Sequence, residues 1–144
     1  MSHENKEELF REVCVQNNWR RTAQRYAVFE YIVDNVTHPT VEEVWRQVRE
    51  KLPLISLDSV YRILDEFSGI KLVRRFENSR MVRYDPNLAR HDHFVCSRCG
   101  RIFDFDCGAL GGLPQKCERL GTAVSHEVTV WGVCEECQAK EHAQ

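Results

Sequence analysis

Long apolar runs are missing from this chain: nothing in its 144 residues approaches the roughly 20 that a membrane-spanning helix requires. The first nine residues are polar and acidic, without the apolar segment of a secretory signal, which points to the cytoplasm and to no membrane partner. Low-complexity stretches and internal repeats are absent too, so linker-like and solenoid architectures are excluded. Charge of one sign is scarce, with a net value of −2 at pH 7, so the chain as a whole does not attract nucleic acid. Only four prolines and seven glycines interrupt it, and they fall at boundaries such as His38-Pro39, Pro53 and Pro86. What remains is globular: 42% hydrophobic and 29% charged, enough for one ordinary domain or two small ones.

Cysteine, by contrast, is plentiful. Four of the seven form two Cys-x-x-Cys pairs, Cys96/Cys99 and Cys134/Cys137. In a reducing compartment such pairs are metal or redox sites before they are disulfides. Four thiolates close a tetrahedral shell around structural Zn²⁺, and a closed shell carries no catalysis. A dithiol redox centre is the competing reading; the glycine after the first pair, Gly100, favours metal. The 34 residues between the pairs (positions 100–133) exceed a zinc-ribbon spacing, so a small fold must bring the pairs together. Cys14 and Cys117 read as small buried hydrophobes at helical positions, and Cys107 is left over.

Apolar spacing and caps predict four helices in the first half. Residues 6–17 place Leu9, Phe10, Val13 and Cys14 on one face. Thr22 caps a second helix through Asn35, with Tyr26, Phe29, Ile32 and Val33 inward. Thr40 and Glu43 form a capping box for a third, with Val41, Val44, Trp45 and Val48 inward. Ser56 caps a fourth, with Val60, Leu64 and Phe67 inward and Gly69 as its stop. Two β-runs follow, Leu72–Phe76 and Met81–Asp85, turning at Glu77-Asn78-Ser79. Helices followed by a hairpin make a winged helix-turn-helix over residues 1–85. The fourth helix is then the recognition helix, with Asp58, Ser59, Tyr61, Arg62 and Asp65 outward. Lys71, Arg74, Arg75, Arg80 and Arg83 against Glu77 make the hairpin basic, as a DNA-contacting wing requires. A small α+β domain with a solvated basic hairpin is the competing reading.

Residues 86–90 read as a hinge. Beyond it, residues 91–144 form a small α/β unit, with strands at His93–Val95, Arg101–Phe105 and within Thr122–Val133, and a helix from Ala109 to Leu120. This unit is too short for a self-sufficient core, so metal or a partner subunit should support it.

A second cluster has harder donors. His91 and His93 alternate along a strand and face one side. Asp104 lies on a strand able to pair with theirs; Asp85 ends the second wing strand; His38 precedes Pro39. Three imidazoles with two carboxylates suit Fe²⁺, Mn²⁺ or Zn²⁺, the carboxylates shifting preference toward the harder ions.

Five segments carry a resemblance: Arg21-Thr22-Ala23-Gln24-Arg25, His38 through Val44, Ser56 through Leu64, His91 through Gly100, and Val133 through Cys137. Together they resemble the ferric-uptake-regulator (Fur) family of metal-responsive transcriptional repressors, over nearly the whole chain. The resemblance implies an N-terminal winged helix, a C-terminal α/β dimerisation domain with the four-cysteine zinc site, and a homodimer that binds palindromic double-stranded operator DNA when a regulatory metal is present. It implies no enzyme activity. Asp85 and Asp104, where uptake regulators usually carry glutamate at the latter, are similar to the peroxide-sensing branch. That branch implies regulatory ligands His38, Asp85, His91, His93 and Asp104 for Fe²⁺ or Mn²⁺, with Fe-dependent oxidation of His38 or His91 as the peroxide signal. Arg25 is then expected at phosphate, Ser59, Tyr61 and Arg62 at the recognition helix, and Arg74, Arg75 and Arg80 at the wing. The chain departs from the family pattern at Ala23 and Ser59. Gly111 and Arg90 also replace expected ligands of an additional metal site, leaving Asp92 and His126 without the rest of it. An iron- or zinc-uptake regulator of the same family is the alternative; a metalloenzyme or a purely structural zinc protein are remoter ones.

Overall fold

The computed structural model describes residues 1–77, 81–89, 91–108, 113–124 and 126–143, the side chains of 113 and 114 aside. Arg80, Arg90, Gly111 and most of the expected 77–79 turn lie outside them. The chain divides into two compact units, Met1–Leu88 and Ala89–Gln144.

In the first unit every helix opens on a hydroxyl. Helices α1 (His3–Gln16), α2 (Ala23–Ile32), α3 (Val41–Lys51) and α4 (Leu57–Gly69) are capped by Ser2, Thr22, Thr40 and Ser56, each side chain accepting a first-turn N–H. At α3 the capping box is complete, because the Glu43 carboxylate also accepts the Thr40 N–H at 2.7 Å. Helix α2 stops at Ile32, short of the expected Asn35. Gly69 is not the stop of α4 but its last residue. The left-handed position falls on Lys71 (φ 59°), with Leu72 N–H bonded to Phe67 C=O at 2.9 Å and Lys71 N–H to Ser68 C=O at 3.0 Å. That is a Schellman closure without glycine. Asn18 (φ 54°) closes α1 in the same way, through Trp19 N–H to Cys14 C=O at 2.8 Å.

The inward faces of α1–α4 meet in one apolar core around Phe10, Phe29, Phe67, Val44 and Leu64, with Cys14 buried in it as expected. Strands β1 (Arg74–Glu77) and β2 (Val82–Asp85) then pair antiparallel, Arg74 opposite Asp85 and Phe76 opposite Arg83, and Tyr84 seats the hairpin on the helical core. Helices α2–α4 with this hairpin form a winged helix-turn-helix.

The second unit is built on β3 (Asp92–Cys96). Strand β4 (Ile102–Phe105) pairs with it antiparallel and β5 (Thr129–Gly132) parallel, giving the order β4-β3-β5. Register sorts the two faces. One carries the row Asp104, His93, Thr129; the other carries Phe103, Phe94, Val130. The strand expected within 122–133 is confined to Thr129–Gly132. The helix expected over 109–120 is reduced, among the described residues, to α5 (Leu113–Cys117). Cys117 is half-buried, not a core residue, because five residues of helix cannot present a full inward face. Helix α6 (Glu135–His142) was not anticipated.

Candidate metal centres

The sulfur site follows from the register of β3. Cys96 ends that strand; Gly100 takes φ 72° and bonds its N–H back to Cys96 C=O at 2.9 Å, so the chain reverses into β4 with Cys99 in the turn. Parallel pairing sets Gly132 of β5 opposite Cys96, and Ser97 N–H reaches Gly132 C=O at 2.7 Å. Two residues later Cys134 opens α6, and Cys137 follows in its first turn. The four sulfurs lie within 4.8 Å of one another, with Cys99 and Cys134 3.9 Å apart. A tetrahedral Zn²⁺ with bonds of about 2.3 Å sets its sulfurs about 3.8 Å apart, so the set fits the ion. Gly132 also allows Phe94 to cross it, since a Cβ there would stand 2.8 Å from that ring.

The thiols themselves call for a cation. Burial opposes ionisation of Cys96, yet backbone N–H groups of Cys99, Cys134 and Arg98 outweigh it and hold the thiol down to about 6. Cys137 is pushed up to about 12, by desolvation first and then by the neighbouring Cys134, Cys99 and Cys96. A thiol held that high keeps its proton at neutral pH, and bringing Cys137 into a thiolate shell takes the charge of a cation such as Zn²⁺. Arg101, which sequence reading took only as a strand residue, donates to Cys99 Sγ at 3.4 Å and Cys134 Sγ at 3.5 Å and pairs with Glu136 at 2.7 Å.

The nitrogen and oxygen donors of this unit converge on the opposite end of β3. His91 immediately precedes the strand, His93 lies in it, and their rings meet edge to face at 4.6 Å. Asp104 sits opposite His93, and one carboxylate oxygen lies 3.2 Å from His91 Nε2 and 3.6 Å from His93 Nε2. The outer nitrogens are engaged. His91 Nδ1 lies 2.6 Å from Ala89 C=O and His93 Nδ1 lies 3.1 Å from Glu127 Oε1. A proton on each Nδ1 serves those acceptors and leaves both Nε2 lone pairs for a metal. Glu127 is a residue that sequence reading missed; a carboxylate one strand away, with no motif around it, gives no signal until β5 is placed beside β3.

In the first unit His38 and Asp85 form a buried pair, His38 Nε2 and Asp85 Oδ2 being 3.6 Å apart with both side chains almost fully enclosed. Imidazole beside carboxylate, both removed from bulk water, is again a fitting half of a metal shell. Asp92, left without the rest of an additional metal site, is fully buried, its two oxygens accepting the Cys107 and Val128 N–H groups at 3.0 Å each, so it ties two loops to β3.

The expected DNA-facing residues differ in freedom. Tyr61 is exposed, and Arg62 is solvated with a loose pairing to Glu66 at 3.5 Å. The Ser59 hydroxyl meets Ser56 Oγ at 2.9 Å within the cap. Arg74 is half-buried, while Arg75 is more exposed and pairs with Glu77 at 3.4 Å. Arg25 is more constrained: its guanidinium stacks on Trp19 and bonds Glu66 at 2.8 Å and Arg20 C=O at 2.6 Å. Arg83, expected to add to the basic surface of the hairpin, is buried instead.

A winged helix joined to a cysteine knuckle and a His/Asp cluster is the plan of a metal-responsive regulator, and the chain belongs to the ferric uptake regulator family, which matches residues 16–130. Members of this family are transcriptional regulators, which removes the metalloenzyme reading. The chain is 34% identical over 144 residues to the peroxide operon regulator of Bacillus subtilis (strain 168), covering 98% of each protein. It is 32% identical over 124 residues to the peroxide-responsive repressor PerR of Staphylococcus aureus (strain USA300), covering 84% of each. Among solved structures, the ferric uptake regulator of Helicobacter pylori, described as having three functional metal binding sites, superposes with a TM-score of 0.76 at 27% identity, over 96% of this chain and 95% of that one. Among the described residues no helix is long and apolar enough to cross a membrane.

Proposed function

We propose that this protein is a metal-dependent repressor that binds palindromic operator DNA as a homodimer and loses that binding when hydrogen peroxide oxidises a ligand histidine. The observation that carries the reading is the His91, His93 and Asp104 cluster, where an aspartate holds the position at which uptake regulators usually carry glutamate. The two relatives above, both named for their response to peroxide, support it.

In this reading residues 1–85 bind DNA, 86–90 are the hinge, and 91–144 dimerise. His38 and Asp85 on one side of the hinge, with His91, His93 and Asp104 on the other, hold the same Fe²⁺ or Mn²⁺. Ligands from both sides fix the angle between them, and hence the separation of two α4 helices in a dimer, which must match half-sites about one helical turn apart or a multiple of it. When bound, Fe²⁺ would lend one electron to open the O–O bond of hydrogen peroxide beside an imidazole. His38 or His91 would then take one oxygen onto a ring carbon and give up two electrons overall, the second peroxide oxygen leaving as water; the oxidised ring would bind metal less well and release the DNA-competent angle. Tyr61 and Arg62, with Ser59, meet the major groove; Arg74, Arg75 and Arg80 meet the backbone from the wing; Arg25 reaches phosphate by exchanging its Glu66 partner. For dimerisation the half-exposed row of Phe103, Phe94 and Val130, on the sheet face opposite His93, supplies apolar surface. A four-cysteine zinc site and free thiols fit the reducing cytoplasm.

The test is operator binding by fluorescence anisotropy with Fe²⁺, Mn²⁺ and Zn²⁺ under anaerobic conditions, followed by peroxide and mass spectrometry. One added oxygen on His38 or His91 in the Fe²⁺ sample alone, with loss of DNA binding, is the expected result. Retained binding with unmodified histidines returns the protein to the uptake regulators.

A further inference from the structure

The buried arginine of the hairpin has no place in the DNA contacts and none among the metal ligands. Arg83 lies on β2 between Val82 and Tyr84, and its residue surface is 5% exposed. Its Nη1 donates to His38 C=O at 2.9 Å and lies 3.3 Å from Glu43 Oε2. The same Glu43 oxygen accepts the Thr40 N–H at 2.7 Å, which closes the capping box of α3. One residue further along β2, Tyr84 N–H bonds Pro39 C=O at 3.0 Å. Consecutive residues of β2 thus grip consecutive carbonyls of the His38-Pro39 segment, and the next residue, Asp85, carries the carboxylate that faces His38.

The grip has something to hold. His38 takes φ 51°, a left-handed conformation that side chains with a Cβ rarely adopt, and the following proline narrows its backbone choices further. Left-handed non-glycine residues persist only where the surroundings over-determine them. Here a charged donor to the His38 carbonyl does so. A guanidinium suits the place, because the two N–H groups of one planar Nη1 are fixed in direction and reach a carbonyl and a carboxylate together.

We propose that Arg83, braced by Glu43, is the positioning residue of the regulatory metal site: it holds the His38 backbone in its left-handed turn, which aims the imidazole at Asp85 and so sets the affinity for metal. The device also makes the α3 cap part of the sensor, since one carboxylate oxygen both starts that helix and steadies the ligand loop. This inference rests on the reading of His38 and Asp85 as ligands, and the experiment separates the two.

Zinc-loaded full-length protein is titrated with Mn²⁺, free ion being read by electron paramagnetic resonance, for the parent and for His38→Ala, Arg83→Met, Arg83→Lys and Glu43→Gln. Unfolding midpoint and zinc content are measured on each. Arg83→Met should weaken Mn²⁺ binding about 10-fold or more, the usual cost of losing a residue that orients a ligand, with part of the loss restored in Arg83→Lys. Glu43→Gln keeps an oxygen for the Thr40 cap and should give a smaller loss that is not additive with Arg83→Met. A purely structural arginine would lower the unfolding midpoint of the metal-free protein and leave the affinity of the folded fraction alone. Affinity within twofold of the parent in Arg83→Met overturns the proposal. If that variant does not fold, unchanged affinity in Glu43→Gln and Arg83→Lys does so. Unchanged affinity in His38→Ala overturns the ligand reading itself; weakened binding there with unaltered Arg83 and Glu43 variants overturns only the clamp.

Discussion

The two units solve the same problem with different materials. Met1–Leu88 buries aromatic and branched side chains from four helices, and among the described residues its buried polar ones are His38, Arg83 and Asp85. Ala89–Gln144 has, among the described residues, Val95, Ile102 and two cysteines as its buried apolar set, alongside buried His91, Asp92 and His93. A core of that size cannot offset the conformational entropy of the segment, so the second unit leans on ligation where the first leans on the hydrophobic effect. In the second unit, then, buried histidine and aspartate take up much of the interior that apolar side chains fill in the first.

The largest expected break in this contrast is removal of zinc. Structural Zn²⁺ sites contribute on the order of 10 kcal/mol, so chelation or Cys99→Ser should unfold the second unit and leave the helical one intact. Circular dichroism would retain most helical signal, and limited proteolysis would leave a fragment ending near residue 88. Simultaneous loss of both units would erase the distinction. Next in size is Phe67→Ala, at a fully buried ring of α4. It should cost the first unit about 3–5 kcal/mol in denaturant melts without altering zinc content. Glu127→Ala comes third. It removes the acceptor at His93 Nδ1 and should weaken Mn²⁺ binding about 10-fold, with no change in the melting of the helical unit.

Smallest is Asp34→Asn. Asp34 pairs with Lys6 at 2.8 Å and with the N-terminal amine at 3.0 Å, at a site partly open to solvent. The hydrogen bond from Lys6 leads the effects that hold its carboxyl below the ordinary 3.8. A depressed carboxylate stabilises above its unfolded pKa, and the contribution fades as pH falls through the lower folded value. Solvent screening limits the difference to under about 1 kcal/mol at neutral pH, shrinking with added salt.

Legibility in the sequence followed the same division. Helices α1–α4 announced themselves through hydroxyl caps and apolar spacing, because local chemistry and tertiary burial agree there. Their ends were read less well: Asn18 and Lys71 close helices that a search for glycine passes over. In the second unit β3 and β4 were visible as alternating residues around His93 and Asp104, and the sulfur ligands through their spacing. Helix α6 was not, since no residue of it is buried and its periodicity therefore carries no signal. Arg83, Arg101 and Glu127 share another reason. Each meets a residue far away in sequence, Arg83 the His38 carbonyl, Arg101 the Cys134 sulfur and Glu127 the His93 ring, and a long charged side chain looks the same whether it ends in water or on such a partner.

The parallel pairing of β3 with β5 has a consequence for how new copies come into being. Cys134 lies 38 positions after Cys96, so at about 5–20 residues per second the second thiol pair leaves the ribosome about 2–8 seconds after the first. Through that interval an incomplete knuckle waits with its sulfurs open to whatever oxidant the cell contains. A cell making this protein under oxidative stress would therefore run zinc capture against thiol oxidation once per molecule, before any operator has been met.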